Sequence, residues 1–157
     1  MPNVIFVHGL ISSGQGFKGN FLRSILPTCL TPDFVGTEEE KINQLKNFLS
    51  EKRSWIIIGS SYGGFMGTFY TCQYPDRVSQ LILLAPVLTH PKLHSCRSVD
   101  VPVVLYHGKN DNVVPIEATH KRAEELFTNL TYHLVDDDHM LHPTVKKIDW
   151  SQYFKSV

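Results

Sequence analysis

The feature that most constrains this chain is a series of short, continuous apolar runs, each closed by turn residues. A strand that faces water on one side alternates apolar and polar residues, whereas a strand buried on both faces has a continuous apolar run. We therefore predict a buried, mostly parallel sheet. The clearest runs are Val4-Ile5-Phe6-Val7, Trp55-Ile56-Ile57-Ile58, Leu81-Ile82-Leu83-Leu84 and Val101-Pro102-Val103-Val104-Leu105; two weaker strand candidates cover 28–33 and 130–135.

Helix-like segments separate these runs. The segment 38–49 places its apolar residues on one stripe, and Thr37 with Glu40 three residues later predicts a capping box at its start. The segment 115–127 begins with proline at a suitable first helical position, and the segment 61–74 ends before a proline. Because strand and helix alternate along the chain, we predict an α/β fold: a three-layer α/β/α sandwich with about six mostly parallel strands.

Length and charge limit the classes of protein that need to be considered. At 157 residues, the chain fits one domain, 1–157. The 15 Lys and Arg balance the 15 Asp and Glu, so charge gives no reason to expect nucleic acid or an anionic membrane as a partner. No apolar run approaches the roughly 20 residues that a membrane span needs.

The cysteines and the first residues of the chain bear on the compartment. The sequence begins without a basic lead or a small-residue cleavage site, so we predict no signal peptide. Cys29, Cys72 and Cys96 lie far apart and lack the spacing of a zinc site, so we expect buried small residues or free thiols. A reducing compartment, and hence a cytoplasmic location, is the simpler expectation.

The motif that points to chemistry is Gly59-Ser60-Ser61-Tyr62-Gly63, which matches G-x-S-x-G centred on Ser61. It follows a strongly apolar run and opens a helix-like segment, which is the setting of a nucleophile elbow. In such an elbow a tight, strained turn lifts the serine Oγ above the sheet. The helix that follows offers unpaired N–H groups to a developing oxyanion. We therefore predict Ser61 as a nucleophile.

A nucleophilic serine needs a base, and the base needs a carboxylate to orient it. In this type of site the chain order is Ser, then Asp or Glu, then His, each on a loop after a strand. Asp111 follows one predicted strand and His139 follows the next. We predict Asp111 and His139 for these roles and keep His142, three residues further on, as an alternative base.

The fourth requirement is a pair of N–H donors for the oxyanion. One donor is expected from the backbone of Tyr62, the residue after the nucleophile. The other is expected from the loop after the first strand, where Leu10 is the first choice and Ile11 the alternative. His8 precedes this turn, and we expect it to bond the loop backbone rather than to act as a base.

Together these residues resemble the α/β-hydrolase superfamily over nearly the whole chain. The matching segments, in order, are Phe6-Val7-His8-Gly9, Pro32-Asp33-Phe34-Val35-Gly36, Gly59-Ser60-Ser61-Tyr62-Gly63-Gly64, Tyr74-Pro75-Asp76-Arg77-Val78 with Leu81-Ile82-Leu83-Leu84-Ala85-Pro86, His107-Gly108 with Asp111-Asn112-Val113-Val114-Pro115, and His139. The resemblance implies acyl transfer to Ser61, with His139 as general base and then acid and with Asp111 holding the imidazole. It implies no metal and no organic cofactor.

The chain also departs from the family pattern. The first two strands are missing, and only about fourteen residues, 87–100, stand where a cap domain is usual. The resemblance is therefore to small, capless esterases and thioesterases with an open site.

The sequence leaves several alternatives open. The substrate is a small-molecule ester or thioester, and the protein is a monomer or a homodimer. One alternative is a catalytically silent binding protein of the same fold. The other is a different reaction of the same residues, such as perhydrolysis or C–C bond hydrolysis. The histidine pairs 90 and 94 and 139 and 142 do not resemble a zinc signature.

Overall fold

The computed structural model describes residues 2–50 and 54–155, and its regular elements follow the predicted alternation of strand and helix. The strands are β1 (Asn3–Val7), β2 (Trp55–Ser60), β3 (Val78–Leu84), β4 (Val103–Gly108) and β5 (Leu130–Val135). The α-helices are α1 (Phe17–Ile25), α2 (Glu38–Leu49), α3 (Tyr62–Gln73), α4 (Ile116–Leu126) and α5 (His142–Lys147). Short 3-10 helices cover Pro75–Arg77, Pro91–Ser95 and Trp150–Gln152.

The strands form one parallel sheet in the order β1-β2-β3-β4-β5. Because successive side chains of a strand point to opposite faces, each buried strand contributes to two separate cores. In β1, Ile5 and Val7 belong to one apolar cluster, while Val4 and Phe6 belong to the other. Strands buried on both faces are therefore the reason for the continuous apolar runs in the sequence.

Helices cover both faces of the sheet, so the fold is the predicted three-layer α/β/α sandwich. On one face lie α2, α3 and α4, which contribute Leu45, Phe65 and Leu126 to the core. On the other face lie α1 and α5, which contribute Leu22 and Val145. Parallel strands end at a common edge, so the loops after β1 to β5 converge there.

Two predicted helices are confirmed, one with its predicted bounds and one with small changes at its ends. The helix α2 has the predicted bounds, and both bonds of its capping box are present between Thr37 and Glu40. The helix α4 begins at Ile116, with Pro115 one position before it rather than at the first helical position.

The predicted strand over 28–33 is wrong, so the sheet has five strands where we expected about six. In this segment only Leu30 pairs with the sheet, through a single parallel bridge to Ile5. The amide of Phe6 donates to the Leu30 carbonyl, and the amide of Leu30 donates to the Val4 carbonyl. The flanking prolines, Pro27 and Pro32, lack the N–H that a longer ladder would require.

The expectation of free thiols is wrong for two of the three cysteines. Cys72, at the end of α3, and Cys96 form a disulfide with a Cα–Cα distance of 5.8 Å. The third cysteine, Cys29, is a buried thiol whose pKa is raised to about 12 by burial. Disulfides are most common in oxidising compartments, and the cytoplasmic location stays a prediction.

The connection between β3 and β4 is short and lies against the end of the sheet. Residues 85–102 contain one 3-10 helix, Pro91–Ser95, and bury Leu88 and Leu93. The amide of Val87 donates to the carbonyl of Ser61 at 3.0 Å, which ties this segment to the turn after β2. Among the described residues, no helix has the length and apolarity required to span a membrane.

Candidate active site

Ser61 occupies a strained turn between the end of β2 and the start of α3. Its backbone has φ 56° and ψ −117°, a conformation that non-glycine residues rarely adopt. The turn brings α3 so close to β1 that a Cβ on Gly63 would lie 2.0 Å from the Val7 carbonyl oxygen. Glycine is required at this position for steric reasons, and the sequence pattern around Ser61 follows from that close approach.

The structure brings the three predicted side chains together in one hydrogen-bonded chain. The Ser61 Oγ lies 3.1 Å from His139 Nε2, and His139 Nδ1 lies 2.8 Å from Asp111 Oδ2. His139 follows β5 and Asp111 follows β4, so both reach Ser61 from loops at the same edge of the sheet. The Nδ1–H of His139 donates to the carboxylate, which leaves Nε2 as an acceptor for the Ser61 hydroxyl proton.

The side chain of Asp111 is fully buried, and each group that hydrogen-bonds to its carboxylate is a donor. Its Oδ1 accepts from the amides of Val113 and Val114, at 2.8 and 2.9 Å. Burial acts to raise the pKa of Asp111, but the hydrogen bonds from Val114, His139 and Val113 outweigh it and lower the pKa below its ordinary value. The carboxylate is therefore ionised at neutral pH and fixed in orientation.

The loop after β1 lies directly beside Ser61. A Cβ on Gly9 would lie 3.4 Å from the Ser61 Cβ. Within residues 2–50 and 54–155, the amides of Leu10 and Tyr62 donate no hydrogen bond, whereas the amide of Ser61 donates to the Leu84 carbonyl. The two amides that the sequence predicts as oxyanion donors are therefore free to bind a ligand oxygen.

His8 holds the backbone of this loop, as expected. It is buried, its Nε2 accepts from the Phe34 amide at 2.8 Å, and its Nδ1 lies 2.7 Å from the Gly9 carbonyl. Since Nε2 accepts, the proton is on Nδ1 and is donated to Gly9. In a trans peptide the C=O and N–H point in opposite directions, so fixing the Gly9 carbonyl also fixes the direction of the Leu10 amide.

His142, the alternative base, faces another part of the protein. Its ring stacks on Phe17 of α1 with a centroid distance of 4.1 Å. Burial lowers the pKa of His142, and the charge of Lys18 lowers it further. The structure therefore brings His139, and not His142, to Ser61 and Asp111.

Two features beside the nucleophile were not predicted from the sequence. One is His107, a second histidine whose Nε2 lies 3.0 Å from Asp111 Oδ2. The other is a polar cluster in which Glu38 Oε1 lies 2.7 Å from both the Tyr62 hydroxyl and the His90 Nε2. The only signal for His107 was its place in the motif His107-Gly108 before Asp111. Nothing in the sequence joins the members of the Glu38 cluster, which lie on three separate segments.

Exposed apolar side chains lie on the loops that carry Gly9, Asp111 and His139. Leu10 and Ile11 are 62% and 101% exposed, Val113 follows Asp111 by two residues, and Met140 follows His139. By contrast, two surface hollows of about 360 and 310 Å³ lie beside β4 and β5 and are lined by none of the three hydrogen-bonded residues. Within the described ranges, no group of three or more His, Cys, Asp or Glu side chains is arranged so that it could hold a metal ion.

Comparisons with known proteins agree with this fold. A family model for the alpha/beta hydrolase fold matches residues 39–97. The chain is 40% identical over 68 residues to the (lyso)-N-acylphosphatidylethanolamine lipase of Bos taurus, a match that covers 42% of this chain and 20% of that protein. It is 25% identical to acyl-protein thioesterase 1 homolog 2 of Dictyostelium discoideum, over 71% of this chain and 70% of that protein. The chain thus spans about a fifth of the length of the lipase it matches.

A solved structure from Xanthomonas campestris, described as a hydrolase of the alpha/beta superfamily, superposes with a TM-score of 0.79 at 22% identity. The match covers 93% of this chain and 92% of that one. The chain therefore has the fold of the α/β hydrolases, and residues 39–97 are similar in sequence to that family. Its sequence relatives include a lipase and a thioesterase.

Proposed function

We propose that this protein is a serine hydrolase that cleaves a carboxylic ester or thioester through an acyl-enzyme on Ser61. The observation that carries the proposal is the hydrogen-bonded chain from Asp111 through His139 to Ser61, with 2.8 and 3.1 Å between the paired atoms. A buried carboxylate, an oriented imidazole and a serine on a strained turn are the parts that nucleophilic acyl transfer needs. A binding protein with no turnover has no requirement for this arrangement.

In the proposed reaction, His139 Nε2 takes the proton of the Ser61 hydroxyl as its Oγ attacks the substrate carbonyl carbon. The carbonyl oxygen becomes an oxyanion that the amides of Leu10 and Tyr62 bind. His139 then gives its proton to the leaving alcohol or thiol, which departs and leaves Ser61 acylated. Water then attacks the acyl carbon while it loses a proton to His139. The bond from that carbon to Ser61 Oγ breaks, the carboxylic acid leaves, and His139 returns the proton to Ser61 Oγ.

The proposed substrate carries an apolar acyl chain. Leu10 and Ile11 are exposed beside the Gly9 backbone that contacts Ser61, and Met140 is exposed beside His139. Exposed apolar side chains grouped around a nucleophile favour an apolar ligand, because covering them removes their surface from water. The relatives fit this chemistry, since a lipase and an acyl-protein thioesterase are among them.

A fluorophosphonate probe and variants of three residues test the proposal. The probe is expected to label Ser61, and Ser61→Ala or His139→Ala to lower turnover of p-nitrophenyl butyrate by about 10⁴-fold or more. Ser60→Ala is the matched control, because Ser60 is the neighbouring serine but contacts neither His139 nor Asp111. It should keep labelling and turnover. Turnover unchanged by Ser61→Ala, or labelling at another residue, would contradict the proposal.

A panel of matched substrates separates ester from thioester cleavage. Oxygen esters and acyl-CoA thioesters with the same acyl chain are compared by kcat/KM on the same enzyme preparation. A folded protein with no Ser61-dependent turnover on any member of the panel would favour the binding-protein alternative.

A further inference from the structure

The carboxylate of Asp111 contacts a second histidine besides His139. His107, in β4, is fully buried, and its Nε2 lies 3.0 Å from Asp111 Oδ2 and 3.2 Å from the Val114 carbonyl oxygen. His139 Nδ1 lies 2.8 Å from the same Oδ2. One carboxylate oxygen therefore contacts two imidazole rings.

The contacts of His107 settle its tautomer. Both neighbours of Nε2 are acceptors, so Nε2 carries the proton and donates it to Asp111 and to Val114. Its Nδ1 is buried and has no hydrogen-bond partner in the described part of the chain. Burial lowers the pKa of His107, which leaves the ring neutral at pH 7. A buried ring nitrogen without a partner is unfavourable, so an apolar residue would fit this position better unless the Nε2 contact is useful.

We propose that His107 is a positioning residue, which holds the Asp111 carboxylate with a fourth N–H donor and thereby weakens its pull on the proton of His139. The inference rests on the proposed function of Ser61, His139 and Asp111. An ionised carboxylate has about four lone-pair sites. Two are filled by the amides of Val113 and Val114, one by His139 and one by His107. The set is complete, and the carboxylate can neither rotate nor concentrate its charge on His139.

The expected consequence follows from the sign of the interaction. Without the His107 donor, the negative charge of Oδ2 interacts more strongly with His139, and the protonated imidazole is stabilised. The active enzyme needs a neutral His139, so the acidic limb of the pH profile moves to higher pH. The other nearby carboxylates are occupied, since Asp137 binds Thr144 and the Asp138 amide, and Asp138 binds the Met140 amide.

Two substitutions of His107 separate the donor from the bulk of the side chain. His107→Leu removes the donor, whereas His107→Gln places an amide Nε2–H where the imidazole has its own. For His107→Leu we expect kcat/KM at its plateau to fall about tenfold and the acidic limb to rise by on the order of half a pH unit. His107→Gln should return both quantities to within about twofold and about 0.1 pH unit of the wild type.

Thr71→Val is the matched control for lost stability. Thr71 is also fully buried, and its hydroxyl donates to the Gly67 carbonyl at 2.7 Å on α3, away from Asp111. The Thr71→Val variant should have a lower Tm but an unchanged acidic limb in its pH profile. An acidic limb that stays in place in His107→Leu, or that moves equally in Thr71→Val, overturns the inference even though Ser61-dependent turnover persists.

A nitrogen NMR titration of the wild-type protein tests the same inference without any variant or substrate. His107 should appear as the neutral Nε2–H tautomer from about pH 5 to about pH 8, the range in which histidines ordinarily change charge. A proton on Nδ1 of His107, or a charged His107 ring near neutral pH, would overturn the inference. Since this measurement needs no turnover, its failure is distinct from a failure of the proposed function.

Discussion

At the scale of single residues, the candidate site depends on the backbone conformation of Ser61 as well as on side-chain chemistry. Ser61 is held at φ 56° by hydrogen bonds at both of its backbone groups. Its amide donates to the Leu84 carbonyl, and its carbonyl accepts from Gly64 and Val87. These bonds keep the residue in a strained conformation, and the strain in turn lifts Oγ towards His139.

The strain at Ser61 predicts an unusual stability effect. Ser61→Gly should be more stable than Ser61→Ala by about 1 kcal/mol, because only glycine adopts this backbone conformation without steric strain. Both variants should lack turnover. Chemical denaturation of the two variants measures the difference, and the pair is its own control because both lack the Ser61 hydroxyl. Equal stability, or a more stable Ser61→Ala, would mean that the turn is not strained.

The three residues that the structure joins by hydrogen bonds, Ser61, His139 and Asp111, could be picked out from the sequence, whereas their supporting contacts could not. Ser61 is marked by glycines that the close approach of α3 and β1 requires, and Asp111 and His139 are marked by their order after successive strands. His107 carries no such mark, because a histidine at the end of a strand has many structural uses. Only the three-dimensional path of the loop to Asp111 shows what it contacts.

At the scale of elements, the loops after β4 and β5 behave as one unit. The Asn110 amide donates to the Asp137 carbonyl at 3.0 Å, and a Cβ on Gly108 would lie 2.4 Å from that same oxygen. Asp137 in turn caps the first turn of α5, since its Oδ2 accepts from the amide and the hydroxyl of Thr144. The loop that carries His139 is therefore anchored at both ends.

Asp137→Ala should destabilise the protein by about 1–3 kcal/mol at pH 7, because two hydrogen bonds to a charged group are lost at the start of α5. Burial acts to raise the pKa of Asp137, but the hydrogen bonds from Thr144 and Asp138 outweigh it, so its pKa is lowered. A carboxyl group with a lowered folded-state pKa stabilises the fold above its unfolded pKa of about 3.9 and loses that contribution as pH falls.

The difference in the free energy of unfolding between the wild type and Asp137→Ala should therefore be largest at pH 7 and become smaller below about pH 4. Urea denaturation at both pH values measures it. Asp136→Ala is the matched control, since Asp136 is exposed two positions before Asp138 and has no part in capping α5. A difference that is the same at both pH values would show that the carboxylate charge of Asp137 does not contribute.

At the scale of the whole molecule, the layers and the parallel sheet could be predicted because strands buried on both faces have continuous apolar runs in the sequence. The prediction failed at one edge of the sheet, where residues 28–33 contribute only the bridge at Leu30. The weaker strand candidate over 130–135 is confirmed as β5. The helices α1 and α5 were not predicted from the sequence, because both are short and cover only part of one face.

The covalent link from Cys72 to Cys96 also lay beyond the sequence. The two cysteines are 24 positions apart and lie on different elements, and their proximity depends on the return of residues 85–102 across α3. The same return explains why the edge of the sheet at Ser61 is bordered by a short segment, with Val87 bonded to the Ser61 carbonyl. Under the proposed function, we therefore expect short loops to select the substrate.

If those loops bind an acyl chain, changing their exposed apolar side chains should affect long substrates and spare short ones. For Leu10→Ser combined with Ile11→Ser, we expect KM for p-nitrophenyl octanoate to rise on the order of fivefold, because part of the apolar contact is lost. The kcat for p-nitrophenyl acetate should stay within about twofold, since the Leu10 and Ile11 amides are retained.

Ile25→Ser is the control for this double variant, because Ile25 is 43% exposed at the last residue of α1, away from the loops after the strands. In a parallel α/β fold the helices run against the strands, so the end of α1 lies at the edge opposite Ser61. Loss of apolar surface there should leave both substrates unaffected. An equal rise of KM for acetate and octanoate in the loop variant would show that Leu10 and Ile11 shape the loop without touching the acyl chain.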